Sequence, residues 1–184
     1  MRWSRCLGVA AFFAVSVGLS THARAALTGC TDCHVNFLAS GPAGMKIEGT
    51  TNDLTRAEQG DNVVITVPLA NVTTGIGLRD RHMKEKYLEI AKYPSATLSV
   101  ARSALKMPAG ADKVEADAST TVNIHGQARP VTVHYEAKRD GSSITTRGKF
   151  RINLTDFGIN VPSYLGVTVK PDIEVSANFR AAGN

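Results

Sequence analysis

Residues 114–135 read VEADASTTVNIHGQARPVTVHY, and the alternation within them decides the fold class. Val114, Ala116, Ala118, Thr120, Val122 and Ile124 form one row, and Val131, Val133 and Tyr135 form a second after a break at His125-Gly126. Successive side chains of an extended strand point to opposite faces, so each row gives its strand one inner and one polar face. A glycine-containing pair between two such rows is the signature of a tight hairpin.

The same period of two extends in both directions. Upstream lie Val63, Ile65, Val67 and Leu69, then Ala96, Leu98 and Val100; a first strand is expected at Val35 to Ala39. Downstream, past a second turn signal at Asp140-Gly141, come Ile144, Thr146, Gly148, Phe150 and Ile152, and finally Ile173, Val175, Ala177 and Phe179. One segment departs from the pattern. Residues 78–90, LRDRHMKEKYLEI, contain good helix formers and neither Gly nor Pro, with Met83, Tyr87 and Ile90 at helical spacing; Pro94 ends the segment and Ser95 begins the next strand. The expected fold is therefore all-β, an extended antiparallel barrel with one short helix at about 78–91 near one end. Strands with a single apolar face either pair into a sandwich or close on themselves, and closure removes exposed edges. The small residues Ala116, Ala118 and Gly148 within apolar rows favour a barrel with interior room. That room reads either as a cavity for an apolar ligand or as the alternation of small and large side chains that fits a tapered barrel.

The N-terminus has the order of a cleavable secretory signal. Arg2 and Arg5 precede an apolar run from Leu7 to Leu19, and Ala23-Arg24-Ala25 supplies a small-x-small cut site. The run is shorter than the ~20 apolar residues of a membrane-spanning helix. The expected organisation is a signal peptide at 1–25 followed by one domain at 26–184, placed in the periplasm and not membrane-spanning. A lipoprotein box, Leu27-Thr28-Gly29-Cys30, is the weaker alternative, because Thr21, His22 and Arg24 separate it from the apolar run. Removal of 1–25 leaves 18 Lys and Arg against 16 Asp and Glu, a net charge near neutral. With no basic cluster carrying interleaved aromatics, nucleic acid is not an expected partner.

Residues 67–98, VPLANVTTGIGLRDRHMKEKYLEIAKYPSATL, resemble the signature region of the YceI family of exported lipid-binding proteins. The resemblance rests on Thr74, Gly75, Leu78, Arg79, Asp80, His82 and Met83, which match a T-G-x-x-L-R-D-x-H-M pattern, and on Tyr93-Pro94 before the next strand. Ile124-His125-Gly126 with Pro130-Val131, and Asp156-Phe157-Gly158-Ile159, match further family segments. The resemblance implies a lipocalin-like barrel whose interior holds a long polyisoprenoid, a quinone or another lipid, with no catalysis general to the family. Candidate wall residues for that ligand are Ile65, Val67, Leu98, Val100, Val122, Val133, Phe150, Ile152, Val175 and Phe179.

Arg79, Asp80 and His82 also have the composition of a proton-transfer set. A carboxylate near a helix start satisfies free backbone N–H groups and meets the positive end of the dipole, so the three residues are expected to fix the start of the helix instead. No nucleophile motif or glycine-rich phosphate loop appears elsewhere, and the chain is expected to be a binding protein and not an enzyme.

Cys30-Thr31-Asp32-Cys33-His34 departs from the family pattern. C-x-x-C-H in an exported protein is the attachment motif of a c-type haem, with thioethers at Cys30 and Cys33 and His34 as an axial iron ligand. Met45, Met83, Met107, His82, His125 and His134 are the candidate second ligands. The alternative function is then electron transfer or redox sensing on the same barrel, with a redox partner. A local disulfide or a labile thiol or metal site are the other readings of the motif. Lipidation of Cys30 would leave Cys33 single.

Overall fold

The computed structural model describes residues 27–29, 31–164 and 167–182; the expected signal peptide at 1–25 and Cys30 lie outside them. Ten strands build one antiparallel sheet. In chain order its first members are β1 (Leu27–Gly29), β2 (Thr31–Ser40), β3 (Lys46–Thr51), β4 (Thr55–Gln59), β5 (Asn62–Pro68) and β6 (Ser95–Ala101). Three long strands follow, β7 (Lys113–Ile124), β8 (Gln127–Asp140) and β9 (Ser143–Asn153); a short separate ribbon, β10 (Ser163–Tyr164) with β11 (Val167–Thr168), precedes β12 (Asp172–Ala182). The spatial order is β1-β4-β5-β6-β7-β8-β9-β12-β2-β3. A meander from β4 to β9 is thus extended by β12, which brings the N-terminal β2 beside the C-terminal strand and curls the sheet into a half-barrel.

The turns sit where alternation breaks. Ile124 pairs with Gln127 across His125 and Gly126, both in the left-handed region (φ 54° and 73°), the conformation that matches the twist of the flanking strands. Asp140 pairs with Ser143 across a second two-residue turn. Alternation did not reveal β1, β3 or β4, which are short and, in KIEGTT and TRAEQ, mostly polar. The free edge of β3 is covered by the segment after β5: Thr50 and Thr73 exchange backbone hydrogen bonds of 2.8 and 2.9 Å.

The expected helix is shorter than 78–91. Its α-helical part, α1, spans Gly77–His82, and Met83–Tyr87 forms a π-turn in which the Leu88 N–H donates to the Met83 carbonyl at 2.9 Å. Glu89 then turns into the left-handed region (φ 45°), which ends the helix five residues before Pro94. Its side chain there is tied to Lys92 and to His125.

Inside the half-barrel the two halves differ. One is filled by Val63, Val100, Ala118, Val133, Tyr135, Ala137 and Ile144. Tyr135 pairs in register with Ala116 on one side and Gly148 on the other. A Cβ on Gly148 would lie 3.3 Å from Val133. None of Ala116, Ala118 and Gly148 lines the open cavity: the two alanines belong to the packed half and Gly148 is approached there by Val133. The buried hydroxyl donates to the Lys106 carbonyl at 3.0 Å and accepts from the Lys106 N–H at 2.6 Å. Tyr135→Phe leaves that backbone pair without its partner, and an equilibrium denaturation should show a loss of about 1–3 kcal/mol.

Candidate functional site

The other half of the half-barrel is open. Its cavity of about 790 Å³ is walled by inward-facing side chains of β2, β3, β5, β6, β7, β9 and β12, by α1 and the π-turn, and by residues between Ile159 and Val169. Seven of the expected wall residues lie on it: Ile65, Val67, Leu98, Val122, Phe150, Ile152 and Val175. Val100 and Val133 do not. They pack in the filled half, while Phe179 is buried on β12 away from the cavity. Period-two alternation fixes the face of a strand but not the height along it. On β6 the cavity meets Leu98 and the filled core begins at Val100; on β9 the same division falls between Phe150 and Ile144.

Inward-facing apolar side chains here are only half-buried, among them Phe37, Ile65, Val67, Leu98, Phe150 and Val175, because they face open space. Sequence alternation missed Phe37 and Ile47, which face the cavity from β2 and β3, and Leu154, Ile159 and Val169 from the loops before β12. The Phe37 ring lies over Gly49, its register partner, and a Cβ at 49 would approach that ring to 2.1 Å. The glycine that makes room near the cavity is therefore Gly49.

The helical segment is fastened at both ends. At its start, Arg79 donates from Nε to Thr74 Oγ1 and from Nη2 to the Thr74 carbonyl, both at 2.7 Å. Asp80 accepts from Thr73 Oγ1 at 2.6 Å, from the Thr74 N–H at 2.7 Å, and from Thr74 Oγ1. Burial works to raise the Asp80 pKa; the hydrogen bonds from Thr73 and Thr74, aided by Lys84, outweigh it and hold the carboxyl below its ordinary range. Arg79 and Asp80 thus fix the helix start, while His82 lines the cavity. At its end, the Tyr93 ring packs tilted against His125 with ring centroids 4.5 Å apart, and a Cβ on Gly126 would meet the Tyr93 ring at 2.7 Å. His125 reaches Glu89 at 3.0 Å and the Phe157 carbonyl at 3.3 Å, and Phe157 is 1 % exposed. The Y-P, I-H-G and D-F-G-I segments therefore meet beside the cavity.

These segments and this architecture decide the family, since the YceI-like domain model matches residues 31–181. The chain belongs to the YceI-like family. Among solved structures, this YceI-like domain is similar to a polyisoprenoid binding domain from Saccharophagus degradans implicated in plant cell wall breakdown, at 17% identity and a TM-score of 0.70, covering 86% of this chain and 98% of that one. It is also similar to BcnA of Burkholderia cenocepacia (18% identity, TM-score 0.65, 82% and 96% covered). A Campylobacter jejuni YCEI protein matches at 17% identity and a TM-score of 0.57, with 75% and 85% covered. At these identities the likeness establishes the fold. A comparison with curated proteins finds no significant match. Among the described residues, no helix is long and apolar enough to cross a membrane.

Cys33 and His34 of the cysteine motif lie on β2 of the YceI-like domain, and neither lines the apolar cavity. Cys33 is disulfide-bonded. The strand bulges here: His34 pairs with Asn178 and Thr31 with Arg180, so Asp32 and Cys33 together oppose Phe179, and Asp32 takes a left-handed φ of 56°. Both His34 ring nitrogens have polar neighbours, Asn52 Oδ1 at 2.8 Å and Thr50 Oγ1 at 3.4 Å. Among the described residues no group of three or more His, Cys, Asp or Glu is arranged to hold a metal ion. The candidate second haem ligands are scattered: Met45, Met83 and His82 line the apolar cavity, His125 holds the Glu89 turn, Met107 is exposed, and His134 lies between Asp117 and Glu115 on the outer face.

Two outcomes follow from this geometry. Gly49→Ala pushes the Phe37 ring into the cavity, and titration with a fluorescent fatty-acid probe should show about tenfold weaker binding with the fold retained by circular dichroism. Asp80 has a folded pKa below its unfolded one, so its contribution is present above the ordinary carboxylate range and is lost as pH falls through the folded value. Asp80→Asn should accordingly lower stability at neutral pH by about 1 kcal/mol, with the gap to the parent closing in acid.

Proposed function

We propose that this protein is a periplasmic carrier that holds the chain of an isoprenoid, a quinone or another lipid in the open half of its half-barrel. The observation that carries the reading is a cavity walled by half-exposed aliphatic and aromatic side chains, open past Ile76, Leu78 and Val167, which are 53 %, 49 % and 41 % exposed. Apolar surface left facing a cavity gains ~25 cal/mol for each Å² a ligand removes from water, and the volume lies within the ~300–1,000 Å³ range of small-molecule sites. A structural relative described as a polyisoprenoid binding domain supports the same ligand class. A disulfide at Cys33 accords with the oxidising compartment to which the N-terminal signal would send the chain. The proposed activity is binding without catalysis, and among the described residues the lining holds no nucleophile paired with a base.

Mass spectrometry of organic extracts from natively purified protein tests this directly: a long-chain lipid is expected in stoichiometric amount. Absence of any lipid, together with no binding of a prenyl compound when offered, would overturn the reading. Leu98→Gln puts an amide against the ligand chain and should weaken binding about tenfold or more.

The C-x-x-C-H motif carries the second reading, a covalent haem at Cys30 and Cys33 with His34 on the iron, and with it electron transfer or redox sensing. The disulfide at Cys33 and the engaged imidazole of His34 describe a different state of these residues. When bound, haem would supply one-electron chemistry. A Soret band that survives denaturant, in protein made alongside haem-maturation machinery, is the expected signature of this reading; its absence removes it.

A further inference from the structure

Among the described residues the large apolar side chains that stand well exposed are Ile76, Leu78, Met107 and Val167. A single exposed apolar residue needs no explanation, whereas a cluster of them does. Three of these gather at one end of the molecule, Ile76 and Leu78 at the start of the helical segment and Val167 on the β10–β11 ribbon. Residues 75–78 are all exposed, and a Cβ on Gly75 or Gly77 would meet no atom within 4 Å. Ile76 and Leu78 are therefore carried on a projecting tip. Its base is held firmly: Thr73 exchanges backbone hydrogen bonds with Thr50, and Thr74 is gripped by Arg79 and Asp80.

Cations follow the tip. Arg81 lies three residues beyond Leu78, close to one helical turn, and Lys84 and Lys86 come next. Arg81 and Lys86 are exposed, and neither Arg81 nor Lys84 lines the cavity. Of the acids in this segment, Asp80 is engaged by Thr73 and Thr74 and Glu89 by Lys92 and His125, which leaves Glu85 alone to offset the three cations. Among the described residues no carboxylate forms an ion pair with Arg81, Lys84 or Lys86.

We infer that this end of the protein docks on a lipid bilayer with an anionic surface, into which Ile76, Leu78 and Val167 dip while Arg81, Lys84 and Lys86 lie against its phosphates. Apolar tips beside Lys and Arg have the composition of an interfacial anchor, in which burial of the tips and attraction of the cations add. A protein partner would need a shaped pocket for each projecting side chain, whereas a fluid interface closes around them without one. The docking surface goes beyond the carrier reading and does not require a bound ligand.

Trp3 is the single tryptophan of the chain and falls in the expected signal peptide. Leu78→Trp therefore places one fluorophore on the tip of the mature protein, and Met107→Trp places one on the remaining exposed apolar position, beside Lys106 in the packed half. The probes are vesicles of phosphatidylcholine, with or without phosphatidylglycerol. The parent protein should co-float with the phosphatidylglycerol vesicles about tenfold more strongly than with phosphatidylcholine alone. On those vesicles the emission of Leu78→Trp should shift to the blue and that of Met107→Trp should stay unchanged. Arg81→Glu with Lys84→Glu should cut flotation about tenfold without altering binding of the fluorescent fatty-acid probe, and Ile76→Asp with Leu78→Asp should cut it as far. No flotation, equal flotation with both vesicles, flotation that these substitutions leave unchanged, or equal shifts of the two tryptophans overturns the inference. Uptake of single lipids leaves the protein in solution, so the lipid extract scores the carrier reading separately. A bound lipid without flotation overturns docking alone, and flotation of a protein that holds no lipid overturns the carrier reading alone.

Discussion

Tyr135, buried in the packed half of the interior with its hydroxyl tied to the Lys106 backbone, anchors a division on which the rest of the molecule depends. A curled sheet with one apolar face has to fill its interior or leave it open, and native interiors are close-packed. Here the ring of Tyr135, with Val63, Val100, Ala118, Val133 and Ile144, closes one half of the strands completely. The hydroxyl carries this into the loop after β6 through Lys106, whose backbone N–H and carbonyl it satisfies together. Thr120 marks the boundary: it is buried in the inward row of β7 and satisfies itself on the Val131 carbonyl at 2.8 Å, between the packed residues on one side and Val122 on the other. With one half packed, the sheet stays folded while the other half keeps its space.

The open half needs a wall that the sheet does not supply, and the helical segment provides it. A helix of six residues and one π-turn has too few internal hydrogen bonds to stand alone. Its persistence comes from what is attached to its ends. Arg79 and Asp80 both grip Thr74, and Thr73 next to it bridges to Thr50 on β3, so the helix start and the free sheet edge are one connected unit. At the other end Glu89, Tyr93, His125 and Phe157 link the segment to the β7–β8 turn and to the turn at 154–157. The π-turn shifts the residues after it around the axis, and Met83, Lys86, Tyr87 and Leu88 all reach the cavity.

Much of this was legible in the sequence because it obeys local rules. The long strands β7, β8, β9 and β12 carry unbroken alternation, and their turns carry glycine where the backbone needs a positive φ. The strands that alternation missed, β3 and β4, are short and polar. The site was half legible for a geometrical reason. Alternation separates Val122 from Thr121 but cannot separate Val122, on the cavity, from Val133, in the packed half. Likewise Ala116 and Gly148 read as room without saying where along the strand it lies, and only the structure sets both in the packed half, off the cavity. Gly49, which does border the cavity, lay in a strand that the pattern did not announce.

The polar features divide along the same line. Residues whose side chains are consumed in holding the wall, such as Asp80, Glu89 and His125, lie against backbone or loop partners and are absent from the cavity lining. Arg79 does both tasks, since its bonds to Thr74 orient a guanidinium that also lines the cavity. A charge held by its neighbours keeps its position without a ligand, so less ordering cost falls on binding. The cavity is therefore walled on one side by the sheet and on the other by a helical segment that the bonds of Arg79 and Asp80 to Thr74 keep on the sheet.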